Sequence, residues 1–207
     1  MSGNSAIGTL TNGPTYSSSN GGFLSFDGTN DFVSVPSGIP QRTSQFTNEI
    51  WVYPTSLTGG VSGYSTLIRM NGSRVGGGSG DFYFVLRDLG QVHCEIKNVT
   101  DTGYDSYTTS TNIIQVNNWY HIVQVIDRIN GNLKFYVNGV SRLDTSTSTF
   151  GIVTDSSIQI AQQGTNVNDQ YARRLTGRVS NVKLYNRALT AAEVSQNFNA
   201  LRGRFGI

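Results

Sequence analysis

The chain has 207 residues and a formal charge of +2, enough length for one domain with a substantial core. Hydrophobic residues make up 37% and charged residues 14%, with 24 glycines, a composition that suits an all-β, turn-rich protein and argues against a helical one. The small charge speaks against nucleic acid as a partner. No stretch approaches the ~20 apolar residues of a membrane span, and the lone Cys94 rules out an intrachain disulfide.

Residues 1–22 are rich in Gly, Ser, Asn and Thr and read as an irregular N-terminal arm, with a short strand possible around Ile7 to Leu10. The start, MSGNSAIGTLTNG, lacks a basic stretch followed by an apolar run. It therefore reads as a cytoplasmically made protein without a signal peptide. Residues 23–207 read as one further domain with no linker.

Period-2 segments follow at short intervals, the pattern of a sandwich or barrel. FLSF and FVSVP flank the turn DGTND, EIWVYP is ended by Pro54, and STLIRM follows a Gly-rich loop. FYFVLRD and QVHCEI flank a turn at Gly90, with Cys94 beside Val92 and Ile96 on the apolar face. YTTSTNII, SIQIAQQ and RLTGRVSNVKLYN supply further strands. In the last, Val179 is out of step with Val182 and Leu184, which calls for a bulge.

WYHIVQVID alternates with Trp119, His121, Val123 and Val125 on one face and Tyr120, Ile122, Gln124 and Ile126 on the other. Both faces are largely apolar, so this strand is expected to be covered on both sides. Asn130-Gly131 suits a tight hairpin into LKFYV, with Leu133, Phe135 and Val137 on one face, and Asn138-Gly139 turns the chain again. His121 lacks a nucleophile, acid or second ligand nearby in sequence and reads as a structural, partly buried residue. The one helix is LTAAEVSQNFNALRG, where Thr190 and Glu193 form a capping box and Leu189 and Val194 a hydrophobic staple.

Paired carboxylates of a glycoside hydrolase are missing. The three glutamates, at 49, 95 and 193, have no second acid at i+2 or i+4 on a strand, and Glu193 is used in the cap. No His/Cys metal cluster is present. The turn FDGTND offers Asp27, Asn30 and Asp31 as oxygen donors for a Ca²⁺. The competing reading is that they only shape the turn through side-chain to backbone hydrogen bonds. Sugar binding needs aromatic platforms beside amides and hydroxyls. Tyr64 and Tyr83 qualify, and the loops DTGYDSYTTS and GTNVNDQYARR offer Tyr104, Asp105, Tyr107, Asn168, Asp169, Tyr171, Arg173 and Arg174 as contacts to a glycan or a protein partner. The basic residues near the C-terminus form either a solvated rim or a patch for an acidic partner.

NNWYHIVQVIDRINGNLKFYVNGV resembles the Trp-Tyr-His strand, hairpin and YVNG turn of laminin-G-like, concanavalin A-like domains. FLSFDGTNDFVSVP is similar to that family's first core hairpin, FTNEIWVYPTS to its next strand, and LTGRVSNVKLYNRALTAAEVSQNF to its closing strand and helix. The resemblance implies an all-β jelly-roll sandwich of two antiparallel sheets with one short C-terminal helix. It also implies a structural Ca²⁺ near the first hairpin in many relatives, and no other cofactor. A departure is Ser180-Asn181, where many relatives carry an acidic pair.

The end segments GTLTNGPTYSSSNGG and NFNALRGRFGI are similar to those of laminin-G-like domains in virion proteins of tailed bacteriophages. This resemblance implies a non-enzymatic virion protein, a capsid decoration or fibre-type module with other virion proteins as partners, present as a homo-oligomer. The alternative is a lectin-like module for host surface glycans.

Overall fold

The computed structural model describes residues 7–36, 44–58, 63–74, 82–97, 103–147, 153–163 and 173–207. The first strands are β1 (Thr9–Thr11), β2 (Thr15–Ser17), β3 (Phe23–Asp27), β4 (Phe32–Val35) and β5 (Gln45–Ser56). Then come β6 (Tyr64–Arg74), β7 (Phe82–Arg87), β8 (Gln91–Lys97), β9 (Tyr104–Thr108), β10 (Tyr120–Asp127), β11 (Asn132–Val137) and β12 (Val140–Ser146). The chain closes with β13 (Val153–Ile160), β14 (Gln162–Gln163), β15 (Arg173–Arg174), β16 (Thr176–Tyr185) and helix α1 (Ala191–Phe205).

Two seven-stranded antiparallel sheets make the sandwich. The front sheet runs β1-β4-β13-β6-β7-β8-β9 and the back sheet β12-β11-β10-β5-β16-β3-β2, with β14-β15 a small ribbon. Between them lies one core. Ile68, Phe82, Phe84, Leu86, Val92, Cys94 and Ile96 from the front meet Phe46, Ile50, Val52, Ile122, Ile126, Leu133 and Phe135 from the back. Phe84 stacks on Phe135 at 6.0 Å across the layers, and Phe46 meets Phe82 edge-on at 5.8 Å. Each such buried side chain contributes ~1.5–3 kcal/mol.

The outer face of the back sheet is covered by α1. Val123, Val125 and Tyr136 pack with Leu189 and Val194, while Phe23, Trp51 and Trp119 surround Phe205. Strand β10 is therefore buried on both faces, as its two apolar sets require. The Thr190–Glu193 capping box forms and Leu189 and Val194 share one cluster. The bulge expected in β16 lies between Val179 and Val182, and Asn138 and Gly139 make the two-residue turn with φ of 52° and 76°.

Four local expectations are corrected. The described part of the N-terminal arm is more ordered than expected: the short strand near Leu10 is β1, which pairs with β4, and an unanticipated β2 pairs with β3, one edge strand for each sheet. Strand β5 does not end at Pro54 but runs to Ser56. Its ladder to β10 stops at Val52, so the missing Pro54 N–H leaves no partner unmet, and Pro54 lies opposite Gly177. The hairpin after β10 is a four-residue loop in which Gly131 is left-handed and Asn130 is not. Asp127 closes that loop, accepting from the Asn130 N–H at 3.1 Å and from its side chain. Strand β9 ends at Thr108, and the chain to Ile114 wraps the β7–β8 turn, with the N–H groups of Ile113 and Ile114 both bonding Gly90 O at 2.9 Å.

Candidate functional site

Because Phe82, Phe84, Leu86, Val92, Cys94 and Ile96 fill the core, alternation turns their neighbours outward on the front sheet. Register then aligns Gln159, Arg69, Tyr83, Glu95 and Ser106 in one row across β13, β6, β7, β8 and β9. A second row holds Thr66, Val85, His93 and Thr108, and a third holds Tyr64, Arg87 and Gln91. From β15, Arg173 lays its side chain over this face.

Arg173 Nη1 is 2.8 Å from Glu95 Oε2, and its guanidinium carbon is 4.1 Å from the Tyr64 ring centre and 5.7 Å from that of Tyr83. Arg87 stands 5.2 Å over the Tyr64 ring. Arg69 donates to Gln159 Oε1 at 3.2 Å and stands 5.8 Å from the Tyr83 ring. Tyr104, 40% exposed, lies 5.7 Å from Tyr83. His93 is buried, shares a 2.6 Å hydrogen bond with Thr108 Oγ1 through Nδ1, and approaches Glu95 Oε1 to 3.5 Å through Nε2. Burial opposes charge on Glu95, yet hydrogen bonds from His93 and Arg173 and the nearby positive charge outweigh it and hold the carboxyl at about 2. Tyr83 is buried beneath Arg69, Arg173 and Tyr104 and supports them. The result is a face that presents Tyr64 and Tyr104 with guanidinia, a fixed carboxylate, an amide and hydroxyls. Such a set can stack against and hydrogen-bond a polyhydroxyl ligand.

Of the contacts anticipated from sequence, Tyr64, Tyr83, Tyr104 and Arg173 come together on this face. Tyr107 does not: it lies opposite Cys94, on the inward face, and packs against the core. Asp105 is opposite Ile96 and so also belongs to the inward-facing set of this edge strand. Arg174 alternates away from Arg173 and is buried opposite Gln162. Asn168, Asp169 and Tyr171 lie outside the described residues. Sequence reading missed Arg69, Arg87, His93 and Glu95. The signal was the complement of the apolar set: if Val92, Cys94 and Ile96 face in, Gln91, His93 and Glu95 must face out together.

A second ionic cluster lies beneath α1. The buried Glu49 receives hydrogen bonds from Lys183 at 3.0 Å, Tyr185 at 3.1 Å and Asn197 at 2.7 Å. His121 Nε2 is 3.3 Å from Glu49 Oε1, though not aligned for a hydrogen bond. His121 is thus fully buried rather than partly so, and the acid that sequence spacing did not reveal comes from the adjacent strand. Burial opposes charge on Glu49, but His121 and Lys183 outweigh it and hold the carboxyl at about 2. Burial and the Glu49 charge in turn push Tyr185 up to about 12.

The family model described as the concanavalin A-like lectin/glucanases superfamily, of laminin G type, matches residues 27–195. The chain belongs to this superfamily. Among solved structures, the botulinum neurotoxin serotype G binding domain superposes with a TM-score of 0.74 at 15% identity, covering 96% of this chain and 47% of that one. The binding domain of paraclostridial mosquitocidal protein 1 gives 0.74 at 18%, covering 97% and 48%. The serotype D ligand-binding domain in complex with N-acetylneuraminic acid gives 0.73 at 12%, covering 97% and 47%. These likenesses are of fold, and the chain spans about half the length of each. No curated protein sequence matches it.

Two chemistries of this superfamily can be tested on its residues here. Glu49 and Glu95 lie on the outer faces of opposite sheets, so they do not flank one glycosidic bond. At the first hairpin, Asp27 Oδ1 accepts the Thr29 N–H at 2.7 Å and Asp31 Oδ2 accepts the Asp27 N–H at 3.2 Å. The Asn30 carbonyl accepts from Asn12 at 2.9 Å. Burial raises the Asp31 carboxyl, partly offset by the bond from Asp27. No group of three His, Cys, Asp or Glu able to hold a metal occurs among the described residues. The donors at Asp27, Asn30 and Asp31 therefore fit turn shaping, and fall well short of the six to eight oxygens around Ca²⁺.

Proposed function

We propose that this domain is a non-catalytic carbohydrate-binding module, and that the outer face of its front sheet is the contact surface. One observation carries the reading: Tyr83, Glu95, Arg69 and Gln159 stand in a single cross-strand row, with Tyr104 beside it and Arg173 laid across it. Aromatic faces take the apolar side of a sugar ring while charged and amide groups take its hydroxyls. The rigid β-ladder beneath holds these groups in place before a ligand arrives, which lowers the ordering cost of binding. The superfamily includes lectins, and one similar structure is a ligand-binding domain in complex with N-acetylneuraminic acid. Both support the reading. A glycan array probed with the wild type and Tyr104→Ala tests it. Specific signals weakened by the substitution are expected; an empty array would sink the proposal.

A role on a virion surface, with host glycans as targets, is a second reading with its own observation. The two end segments whose sequences resemble phage virion proteins are packed together: Asn20 donates to the Arg204 carbonyl at 3.1 Å, and the Arg204 guanidinium donates to the Gly22 carbonyl at 3.3 Å. This contact lies at the back sheet, where β2 is an edge strand and α1 covers the outer face. Strand β1 of the same segment edges the front sheet at the side opposite β9 and Tyr104. A particle attached there would leave the front face free. Stoichiometric co-sedimentation with purified particles is the expected result, and absence from them would end this reading.

A further inference from the structure

Two guanidinia share one ring. The guanidinium carbons of Arg173 and Arg87 stand 4.1 Å and 5.2 Å from the centre of Tyr64. Arg173 has a carboxylate at 2.8 Å in Glu95. Arg87 has no ion-pair partner among the described residues, and its buried Nε makes no hydrogen bond there. Its neighbours across the ladder are Tyr64 and Gln91, neither of them acidic. Asp88, next in sequence, is engaged in its own turn, where Oδ1 accepts the Leu89 N–H at 3.0 Å. Arg87 is half-buried, so its guanidinium is both partly desolvated and reachable.

Two cations flank one ring and the one anion there is paired with Arg173 alone, which leaves the site short of one negative charge. Their repulsion is felt more strongly here than in bulk water, because the effective dielectric is lower. A planar guanidinium also matches the geometry of a carboxylate or sulfate oxygen pair. The cross-strand partners of Arg87 and Tyr104 on β8 are Gln91 and Lys97. Those positions are separated by about 20 Å along the strand. A ligand touching both ends is an oligosaccharide, not a single sugar.

Resting on the saccharide-binding reading, we propose that the ligand of this face is an acidic oligosaccharide whose carboxylate or sulfate ester is bound by Arg87 beside the Tyr64 ring, with a sugar ring further along the face against the exposed Tyr104. Tyr64 and Arg173 then frame the acid-binding end, and Glu95 keeps Arg173 in place. A free anion would use only that end and leave the exposed Tyr104 at the far edge without a role.

The test is an array of oligosaccharides in matched neutral, carboxylated and sulfated forms, followed by titration calorimetry of the full chain with the strongest ligand and its neutral counterpart. At least one acidic form is expected to bind ~10-fold or more tightly than its neutral match. The advantage should shrink as salt is raised through 0.1 to ~1 M, where screening shortens from about 10 Å to about 3 Å. The carboxylated and sulfated arms identify which acid is read. Arg87→Gln should erase the preference, and Arg87→Lys should restore part of it. Equal affinity for neutral and acidic forms, or an acid preference that survives in Arg87→Gln, would overturn this inference while leaving saccharide binding intact. Binding to none of the forms would overturn both. The salt series uses the wild type, so the inference stays falsifiable even where a variant does not fold.

Discussion

Asn197 on the helix donates a 2.7 Å hydrogen bond to Glu49 Oε2 on β5, joining residues far apart in the chain. This bond and those from Lys183 and Tyr185 place one buried carboxylate at the seam between the back sheet and α1. The group is charged because Lys183, Tyr185 and Asn197 donate to it, and the helix is held because the buried charge needs partners.

The sign of the pH dependence follows from that arrangement. Glu49 is held at about 2, below its ordinary 4.5. Its contribution is therefore complete above the ordinary value and is lost as pH falls from about 4.5 toward about 2. Glu95, also at about 2, adds to the loss in the same window. Denaturant unfolding at pH 7, 4 and 3 should show falling stability. Glu49→Ala at pH 7 should cost about 1–3 kcal/mol, since it removes the acceptor of the Tyr185 and Asn197 donors at the seam, and its own acid sensitivity should be smaller.

Gly90 has φ of +67°, and a Cβ there would meet the Ile114 carbonyl oxygen at 2.3 Å. Gly131 has φ of +65° with open space around it. Both alanine variants incur the left-handed backbone cost of roughly 1–2 kcal/mol. Only Gly90→Ala adds a clash with backbone, so its unfolding midpoint should fall clearly further than that of Gly131→Ala.

Tyr104 and Tyr107 are neighbours in sequence with opposite duties. Tyr104→Ala should leave the midpoint of thermal unfolding nearly unchanged and weaken saccharide binding by about 0.5–1.5 kcal/mol. Tyr107→Ala should destabilise the fold by about 3 kcal/mol, because its ring packs on the core. Calorimetry and thermal unfolding on both variants separate the two effects.

Cys94 is fully buried on the inner face of β8, and burial pushes its thiol well above the usual range. A thiol reagent at pH 8 should leave the native protein unmodified and label one site per chain in denaturant. Fast labelling of the native state would contradict the inward register of β8.

The class of fold, the doubly buried β10, the β16 bulge, the capping box and the inward Cys94 were all legible in the chain. Each depends on local alternation or on residues within one turn of each other. The errors share a different origin. Pro54 is tolerated inside β5 because a neighbouring ladder happens to stop before it. The arm at 7–22 is ordered because two open sheet edges accept β1 and β2. Tyr107 turned inward because its cross-strand partner is Cys94. None of these depends on the segment alone.

The sequence by itself determined which residues share a face, since a period of two is a property of the strand. It also determined which face is inward wherever one set is clearly apolar, as in β8 but not in β9. Only the tertiary structure decided which outward residues meet. Arg173, Glu95, Tyr83 and Tyr64 come from four separate strands, and His121 and Glu49 from two. Cross-strand neighbours are set by sheet order and register, which depend on how both sheets close around the shared core, so the charge pairing of the candidate site appears only once the sandwich is assembled.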